Sequence, residues 1–417
     1  MFLTLVILIY PKPLKTVQAA GNTYYVAKTG SDSATCTQAQ SVNTPKLTIG
    51  AGLLCLSGGD TLIIKVGTYT EGIEGNAIPS GISNGQRTIV QAAAGETVII
   101  NGANSSGYTV TIENKDYITL DGIIFDGANA TVDRAVINMG TRGATGDPGV
   151  HYITVQNGIV RRMGANSLDC IETHGYPSGL SSNLVFKNLE VYGCGSSRLY
   201  HGIYLNSRDS IVEDSVIHDN AFGHGIHIYS SDGTLNASNN VFRNNRIYGN
   251  GSFCIGLYSG SNNIAYNNLC YGNGGNTGSG GIRTDYGSVN AKIYNNTIYN
   301  NSGNAIWIGA GAANTIVQNN IGWANGSDGV RNEGTATIVS NNLFTDPSFV
   351  NSAAADFHLQ STSPAINAGV ALSEVTTDYD GVSRPQGSAY DIGAYEYVGS
   401  APVDTTPPSA PTGVRVQ

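Results

Sequence analysis

The stretch GHGIHIYSS, residues 223–231, places two titratable rings, His224 and His227, in a run whose isoleucines alternate as they do in a β-strand. Histidine titrates near neutral pH, so such a ring is suited to proton transfer in general acid–base catalysis. Other phrases of the chain carry further acids, histidines and an arginine in similar surroundings. The chemistry therefore depends on which of these segments lie side by side in the fold.

Five residues are the candidate catalytic groups: Asp169, Glu172, His201, His224 and Arg283. In β-elimination from a uronate polymer, Arg283 would neutralise the carboxylate, while His201, His224 or Tyr204 would transfer protons. Hydrolysis requires two carboxylates on either side of the scissile bond, and Asp169 and Glu172 would lie roughly 10 Å apart on an extended strand. The larger number of candidate bases favours elimination, with hydrolysis as the alternative.

Aromatic and charged residues near these positions are candidate substrate-binding groups: His174, Tyr204, His227, Tyr229, Tyr258, Asp285, Trp307 and Arg331. Aromatic rings stack on sugar faces, and arginine binds a carboxylate through two hydrogen bonds. Structural alternatives are a histidine pair at a turn for His201 and His224, a solvated outer sheet face for the tyrosines, and an exposed ion pair between Arg283 and Asp285. A non-catalytic glycan-binding or adhesion module is therefore a third hypothesis.

The chain repeats itself from residue 185 onward, and this repeat positions the candidates. One polar position recurs every 22 to 30 residues: Asn188, Asp214, Asn244, Asn267, Asn295, Asn319 and Asn341. A second series follows six residues after each: Cys194, Asn220, Asn250, Asn273, Asn301 and Asn325. Short β runs with a period near 25 are typical of a solenoid, in which stacked Asn side chains hydrogen-bond from coil to coil.

Apolar anchors follow the second series at Ile171, Ile203, Ile226, Ile255, Ile282, Ile306 and Val330. These columns predict an all-β, right-handed parallel β-helix, a single-stranded solenoid of roughly ten coils with capping segments at both ends. Residues directly after the anchors would face outward in one column along the solenoid axis. Asp169, His201 and His224 would form another column, where a bound metal is conceivable, but no metal-binding motif is present and no metal is assigned.

Composition fits this fold and excludes some functions. Charged residues make up 12% of the chain and glycine 54 of its 417 residues, which is typical of short strands and tight turns. The net charge of −9 argues against nucleic-acid binding, because no basic patch is present to neutralise phosphates. We expect a monomer whose partner is a polysaccharide.

The N-terminus predicts export. MFLTLVILIY is too short to span a bilayer, and small residues follow it at the positions that a signal peptidase requires, so residues 1–19 are predicted to be a signal peptide. The protein would then be secreted or displayed on the cell surface, with no membrane span. Among the six cysteines, Cys36 and Cys55 flank a short loop and are the predicted disulfide. The remaining four are expected to pack as small apolar groups.

The N-terminal segment YYVAKTGSDSATC and the C-terminal stretches DFHLQSTSPAINAG and DYDGVSRPQGSAYDIGAYEY resemble those of secreted bacterial right-handed β-helix proteins, a group that includes pectate-lyase-like enzymes. The final DTTPPSAPTGVRVQ resembles the start of a fibronectin type III module. LDCI, GHGI and GIRTD are similar to the site motifs of polygalacturonase-like hydrolases, although Leu168 and Asp285 depart from that pattern. The DDGID cluster and catalytic lysine of calcium-dependent pectate lyases are not found.

The residue patterns and the resemblance together predict five segments: 1–19 signal peptide, 20–75 N-terminal cap and first coils, 76–350 β-helix, 351–398 C-terminal cap, and 399–417 linker with the start of the fibronectin-like module. No cofactor is assigned. Calcium is a possible ligand at Asp378, Asp380 or Asp391, where a structural role in the cap is the default interpretation.

Overall fold

The computed structural model describes residues 21–131, 135–140, 148–162, 169–174, 181–230, 237–276 and 278–399. The predicted signal peptide and nearly all of segment 399–417 lie outside the described residues. Within them, the predicted right-handed β-helix is confirmed as three parallel sheets of twelve, ten and nine strands that run side by side along one axis. No helix in the described ranges is both long and apolar enough to cross a bilayer.

The first sheet contains twelve strands: Thr23–Val26, Thr61–Ile64, Thr88–Ala92, Ile118–Asp121, Thr154–Gln156, Val185–Lys187, Ile211–Glu213, Val241–Arg243, Ile264–Tyr266, Lys292–Tyr294, Ile316–Gln318 and Ile338–Ser340. The second contains ten: Gly67–Tyr69, Val98–Ile100, Ile123–Asp126, Ile159–Arg161, Glu190–Tyr192, Val216–His218, Arg246–Tyr248, Leu269–Tyr271, Thr297–Tyr299 and Ile321–Trp323.

The third sheet contains nine strands: Val110–Ile112, Ala135–Met139, Asp169–Thr173, Ile203–Leu205, Ile226–Ile228, Ile255–Tyr258, Ile282–Asp285, Asn304–Ile308 and Ser327–Asn332. An antiparallel pair follows the solenoid, formed by Phe349–Asn351 and Asp356–Leu359. The helices are short: an α-helix at Ile49–Leu53 and 3-10 turns at Gln38–Gln40, Gly127–Asn129 and Ser352–Ala354. Alternate strand residues point inward, and they form one continuous apolar core.

The two polar series of the sequence have different structural roles. The first series, which begins at Asn188, adopts left-handed backbone with φ between 48° and 59°, a conformation that Asn and Asp tolerate better than other side chains. The internal ladder lies one residue later, where Asn245 Nδ2 donates to Asn268 Oδ1 at 3.0 Å, and Asn268 Nδ2 donates to Asn296 Oδ1 at 2.9 Å. The first series therefore suits the turn, and some of its members also hydrogen-bond from coil to coil, as Asn244 Nδ2 does to Asp214 Oδ1 at 3.2 Å. The following residue forms the internal ladder.

The second series forms a ladder as predicted. Asn250 Nδ2 donates to Asn273 Oδ1 at 2.9 Å, and Asn273 Nδ2 donates to Asn301 Oδ1 at 3.0 Å. Each amide also donates to a main-chain carbonyl of the preceding coil, as Asn273 does to Ile247 O at 3.0 Å. Because these side chains are buried and fully paired, they fix the spacing and register of successive coils.

Three disulfides are present in the described chain. Cys36 and Cys55 are paired, with Cα atoms 5.3 Å apart, as the sequence predicts. The expectation for the other four cysteines was wrong, because Cys170 pairs with Cys194 and Cys254 pairs with Cys270. These bridges have sequence separations of 24 and 16 residues, so each joins two parts of the solenoid that are less than one full coil apart. Spacing along the sequence alone did not reveal these pairings.

The C-terminal segment 351–398, expected to act as a cap, packs against the flank of the solenoid. Phe357, Leu359 and Ile392 form an apolar cluster with Leu269 and Ile321 of the second sheet. The end of the last coil is not covered by it, since Ile338 and Val339 are 54% and 42% exposed.

A buried ion pair anchors this segment. Arg384 Nη1 contacts Glu396 Oε1 at 2.7 Å with neither side chain exposed, and Arg384 Nη2 also donates to Asn267 Oδ1 on the solenoid. The three carboxylates considered as calcium ligands, those of Asp378, Asp380 and Asp391, already have hydrogen-bond partners within the protein. Asp378 and Asp391 accept main-chain N–H groups of Val382, Glu396, Asn367 and Tyr397, among others, and Asp380 contacts His358. These contacts support the structural interpretation.

We predict that Asn273→Ala will lower the free energy of unfolding by about 1–3 kcal/mol, because the Asn250 main-chain and side-chain N–H groups lose their buried acceptor. Denaturant titration followed by circular dichroism measures this. Asn290→Gly is the matched control, since Asn290 is exposed, has φ of 56° and donates to Asn262 in an outer ladder. Equal losses in the two variants would contradict a stabilising role of the internal ladder.

We also predict that the C-terminal segment weakens at alkaline pH. Hydrogen bonds to Asp380 and Asp356 raise the pKa of His358 to about 9, against about 6.5 in an unfolded chain. The ion pairs therefore stabilise fully below about pH 6.5 and are lost as the pH rises through 9. Because the partners are partly exposed, we expect a loss of up to about 1 kcal/mol between those limits. His358→Gln should abolish this part of the pH dependence in urea unfolding.

Candidate functional site

The strand register of the third sheet aligns the candidate residues in a column. Glu172 lies beside Tyr204, Tyr204 beside His227, His227 beside Gly256, and Gly256 beside Arg283. Trp307 and Arg331 continue this column on the next two coils. Neighbouring coils are about 4.8 Å apart, so residues that are more than 150 positions apart in the chain share one outer face.

Asp169, His201 and His224 form a hydrogen-bonded ladder of their own. The main-chain N–H of His201 donates to Asp169 Oδ1, that of His224 to His201 Nδ1 at 3.0 Å, and that of Phe253 to His224 Nδ1 at 3.1 Å. The His201 and His224 rings stack with centroids 4.8 Å apart. All three side chains are buried, so this column has the structural role that asparagine has elsewhere in the solenoid.

This ladder fixes the protonation of both rings. Because Nδ1 of His201 and of His224 accepts a main-chain N–H, the neutral rings carry their hydrogen on Nε2. Burial lowers the pKa of His201 well below its usual value, and the charges of His227 and His224 lower it further. Burial, with a contribution from Arg283, lowers the pKa of His224 to about 3. At neutral pH both rings are hydrogen-bond donors at Nε2 and not proton acceptors.

His227 completes the cluster. Its Nδ1 lies 2.8 Å from His201 Nε2 and accepts that hydrogen, which leaves its own hydrogen on Nε2, a buried atom without a partner. Burial lowers the pKa of His227 well below the usual value, followed by the charge of His224. Nitrogens of the three rings lie within 4.8 Å of one another. A histidine that binds a metal through one ring nitrogen normally donates a hydrogen bond from the other. In His201 and His224, however, Nδ1 accepts a main-chain N–H, so the hydrogen is on Nε2 and that atom is not free to bind a metal.

Arg283 is held in a defined orientation on the outer face. Its guanidinium pairs with Asp285 Oδ2, while Asp285 Oδ1 accepts N–H groups from Tyr286 at 2.8 Å and Gly311 at 3.1 Å. A Cβ atom on Gly309 would lie 2.2 Å from the Asp285 carboxyl carbon, so glycine is required there. The carboxylate is thus fixed by the next coil and in turn fixes Arg283.

Aromatic rings surround the Arg283 guanidinium. Its carbon lies 3.9 Å from the Trp307 ring centroid, 5.3 Å from Tyr258 and 5.6 Å from each of Phe253 and Tyr286. Such contacts favour a cation over the ring faces. Tyr258 is buried, and burial raises its pKa, whereas Tyr286 is 58% exposed. Tyr286 is therefore the exposed hydroxyl-bearing side chain in this set of rings.

Trp307 lies between two arginines. Arg331, on the following coil, places its guanidinium carbon 4.1 Å from the Trp307 centroid. Arg331 Nη2 pairs with Glu333 Oε1 at 2.6 Å, and Trp307 Nε1 donates to Glu333 Oε2 at 3.1 Å. With a guanidinium from the coil on either side, the Trp307 ring supports the two cations, and its faces are not open as a sugar platform.

The structure separates the predicted site residues into two regions. His201, His224, His227, Tyr258 and Arg283 form a continuous set, since His227 and Tyr258 lie 5.0 Å apart and Tyr258 contacts Arg283. Tyr204 and Tyr229 border the histidines, and Tyr204 OH donates to Tyr229 O at 3.4 Å.

Glu172 and His174 lie on a more distant part of the same face, whereas Asp169 belongs with the histidines because its Oδ1 accepts the His201 N–H. Glu172 is four coils, roughly 19 Å, from Arg283. Tyr286 and the role of Gly309 were not predicted. The signal for Tyr286 is its position directly after Asp285, where the strand ends.

Comparison with known proteins identifies the architecture. The family model described as "Right handed beta helix region" matches residues 76–249 and 179–344, which together span more than half of the chain. The crystal structure of pectate lyase Pel9A is similar with a TM-score of 0.62 at 15% identity, covering 91% of this chain and 97% of that one.

Weaker likeness extends to other solved structures. The A-module of Azotobacter vinelandii mannuronan C-5 epimerase AlgE6 has a TM-score of 0.47 at 18% identity, with 72% and 94% coverage of this chain and that one. An alginate lyase from Paenibacillus sp. str. FPU-7 has a TM-score of 0.45 at 15% identity, with 71% and 96% coverage. No curated protein matches the sequence.

The histidine ladder predicts a loss of stability in mild acid. A buried neutral histidine must take up a proton on unfolding once the pH falls below about 6.5, which costs about 1.4 kcal/mol per pH unit. The stability is present above that pH and is lost on descending toward the folded pKa, about 3 for His224. His224→Asn keeps an acceptor for the Phe253 N–H and does not titrate, so its unfolding free energy should fall less steeply between pH 6.5 and 4.5.

His218→Asn is the control for this measurement. Burial opposes protonation of His218, but hydrogen bonds to Glu190 and Asp219 raise its pKa overall. Replacing His218 should therefore not reduce the slope of the unfolding free energy against pH between pH 6.5 and 4.5. If His224→Asn showed the same slope as the unmodified protein in urea unfolding, the neutral assignment would be incorrect.

Proposed function

The chain belongs to the right-handed β-helix family, and we propose that it is a polysaccharide lyase that cleaves a uronate-containing polysaccharide by β-elimination. The observation that carries this proposal is the Arg283 guanidinium, oriented by Asp285 and surrounded by aromatic rings on the outer face of the third sheet. A planar guanidinium in a fixed orientation is suited to binding a substrate carboxylate. Pel9A, which shares the fold, is a pectate lyase.

Binding along the solenoid axis follows from the column. Arg283 and Arg331 lie two coils apart, roughly 10 Å, with Trp307 between them. Both cations therefore face the same strip of surface and can contact carboxylates on separate sugars of one chain. Asp285 and Glu333 keep the two guanidiniums in place while neutralising part of their charge.

The reaction requires neutralisation of the carboxylate, removal of the C5 proton and loss of the C4 oxygen. Arg283 would stabilise the negative charge that develops on the carboxylate as the C5–H bond breaks. Tyr286, the exposed hydroxyl next to the guanidinium, would accept that proton as the phenolate and return it to the leaving oxygen. The C5–H and C4–O bonds break, and a C4–C5 double bond forms.

This assignment changes the role of the histidines. His201 and His224 were candidate bases, but their Nδ1 atoms accept main-chain N–H groups, and their Nε2 atoms carry hydrogen. His224 instead holds the start of the next coil's strand, Ile255–Tyr258, by accepting the Phe253 N–H. Hydrolysis is less well supported, because Asp169 and Glu172 are buried, and Asp285 is engaged by Arg283 and two main-chain N–H groups.

Non-catalytic glycan binding is the second candidate, and the locked histidines favour it. The imidazoles on this face cannot accept protons, so fewer groups are available for proton transfer. Arg283, Arg331 and Tyr286 can still bind a glycan. In this case the protein would hold an acidic glycan without turnover. Secretion remains a prediction for either function, since residues 1–19 lie outside the described part of the chain.

The test is a screen of the purified protein against polygalacturonate, alginate and neutral polysaccharides, monitoring ultraviolet absorbance of the unsaturated uronate. Elimination predicts this absorbance with an acidic polymer. Arg283→Ala should reduce turnover about 100-fold or more. Arg246→Ala is the matched control, because Arg246 lies over Tyr248 and Tyr271 on the second sheet, away from this face.

Three results would decide between the functions. New reducing ends without the unsaturated product would indicate hydrolysis. Binding that is lost in Arg283→Ala, with no product from the unmodified protein, would identify a glycan-binding module. Turnover that is unchanged in both Arg283→Ala and Tyr286→Phe would contradict the site itself.

A further inference from the structure

A separate polar group lies on the third sheet, toward the N-terminal end of the histidine ladder. Asn138 and Glu172 are register partners on the neighbouring strands Ala135–Met139 and Asp169–Thr173, and they are on the same outer column. His174 follows the second strand, and its main-chain N–H donates to Met139 O at 2.7 Å. Three side chains with acceptor atoms therefore occupy neighbouring positions near the ends of two adjacent strands.

Each of these side chains has a buried polar atom without a hydrogen-bond partner: Asn138 Oδ1, Glu172 Oε2 and His174 Nε2. The residues are 4%, 7% and 7% exposed. Asn138 Nδ2 donates to Gly140 O at 3.1 Å, so the amide orientation is set and Oδ1 is its remaining atom. His174 Nε2 lies 3.2 Å from Glu172 Oε1, but the two are not aligned for a hydrogen bond.

Unpaired acceptors of this kind are costly. A buried polar atom that loses water without gaining a partner costs about 1–3 kcal/mol, and a carboxylate oxygen costs more. Native proteins satisfy nearly all such atoms with protein, water or an ion. Three of them in one group, one belonging to an acid, indicate a ligand that carries positive charge.

We propose that Asn138, Glu172 and His174 bind a divalent transition-metal cation, for which Zn²⁺ is the probe. A carboxylate oxygen, an amide oxygen and an imidazole nitrogen form a mixed donor set. Imidazole suits zinc and similar first-row metals, whereas calcium takes oxygen ligands only. Three protein ligands would leave one position of a tetrahedral ion for water.

The nearby cluster of His201, His224 and His227 contains more imidazoles but is a poorer metal site. Its Nδ1 atoms accept main-chain N–H groups in two of the rings, so those rings cannot present a free Nε2 without breaking the ladder. At His174 the unpartnered atom is Nε2 itself, next to a carboxylate. The difference in hydrogen bonding, and not the number of histidines, selects the site.

This site is independent of the proposed lyase function. Glu172 lies four coils, roughly 19 Å, from Arg283. Metal binding can therefore be measured without any substrate, and loss of one property leaves the other testable.

The experiment uses the full chain after treatment with a chelator and dialysis. Isothermal titration with Zn²⁺ should show one high-affinity site per chain, and Zn²⁺ should raise the Tm. Glu172→Gln should weaken binding by about 10-fold or more, since removal of a group that only supports a ligand already costs that much. His174→Gln should have a similar effect.

Glu190→Gln is the matched control. Glu190 Oε1 also lies 3.2 Å from a histidine nitrogen, His218 Nε2, but that pair is hydrogen-bonded and stands on the second sheet. It should bind Zn²⁺ as the unmodified protein does. The metal-free Glu172→Gln protein should retain its Tm or gain stability, because a buried carboxylate whose Oε2 has no partner is replaced by a neutral amide of the same shape, so misfolding is distinguishable from loss of the metal.

Three outcomes would overturn the assignment. The first is the absence of any Zn²⁺-dependent rise in the Tm of the unmodified protein. The second is Zn²⁺ binding that survives Glu172→Gln but is lost in His224→Asn, which would place the ion at the histidine cluster. The third is tighter binding of Ca²⁺ than of Zn²⁺ at a site sensitive to Glu172→Gln, which would exclude the proposed class of ion.

Discussion

Every functional feature of this protein depends on the register between successive coils. Main-chain hydrogen bonds set the separation of the coils at about 4.8 Å, and the buried asparagine ladders prevent one coil from slipping past the next. A slip of one residue would turn outward side chains into the core. Left-handed residues such as Asn244 and Asn267 make the turns tight enough for each ladder to continue.

The histidine ladder is a variation on this device. An asparagine ladder uses Oδ1 as the acceptor for a main-chain N–H, and His201 and His224 use Nδ1 in the same way. The ring has a second nitrogen, and His201 Nε2 donates to His227 Nδ1. The His224 ring lies perpendicular to that of Tyr258, with centroids 5.6 Å apart. The histidine column therefore provides structural hydrogen bonds and also packs aromatic rings beneath the outer face. As a consequence, its rings are neutral hydrogen-bond donors at Nε2 and cannot accept protons.

The fold was predictable because the sequence pattern that specifies one coil recurs in several coils. The period near 25, the apolar anchors and the recurrent Asn each appear in several copies, so the alignment of Ile203, Ile226 and Ile255 is confirmed by the register. Features that occur once were missed or displaced. Spacing alone did not show that Cys254 and Cys270 meet. The two polar series look alike in sequence, although the first lies at left-handed turns and the second forms an internal ladder.

The chemistry of the outer face was less predictable, for a physical reason. The alternation of residues along a strand predicts whether a side chain points into the core or toward solvent. It does not show which atoms of a side chain already have hydrogen-bond partners. His224 is shared between the ladder and the face, and only the hydrogen bond from Phe253 shows that it cannot accept a proton. Likewise, Trp307 has the residue type of a sugar platform, but the arginines of the two neighbouring coils cover its faces.

Arg283 shows how the solenoid builds a site from weak local signals. Asp285, on the same strand, orients the guanidinium, the next coil fixes that carboxylate through the Gly311 N–H, and Gly309 leaves space for it. The preceding coil contributes Tyr258, and the following one contributes Trp307. No single repeat contains more than a part of this arrangement. The repeat that makes the fold easy to identify therefore distributes the candidate site over three coils. The chemistry of the site can be inferred only from the three-dimensional arrangement of those coils.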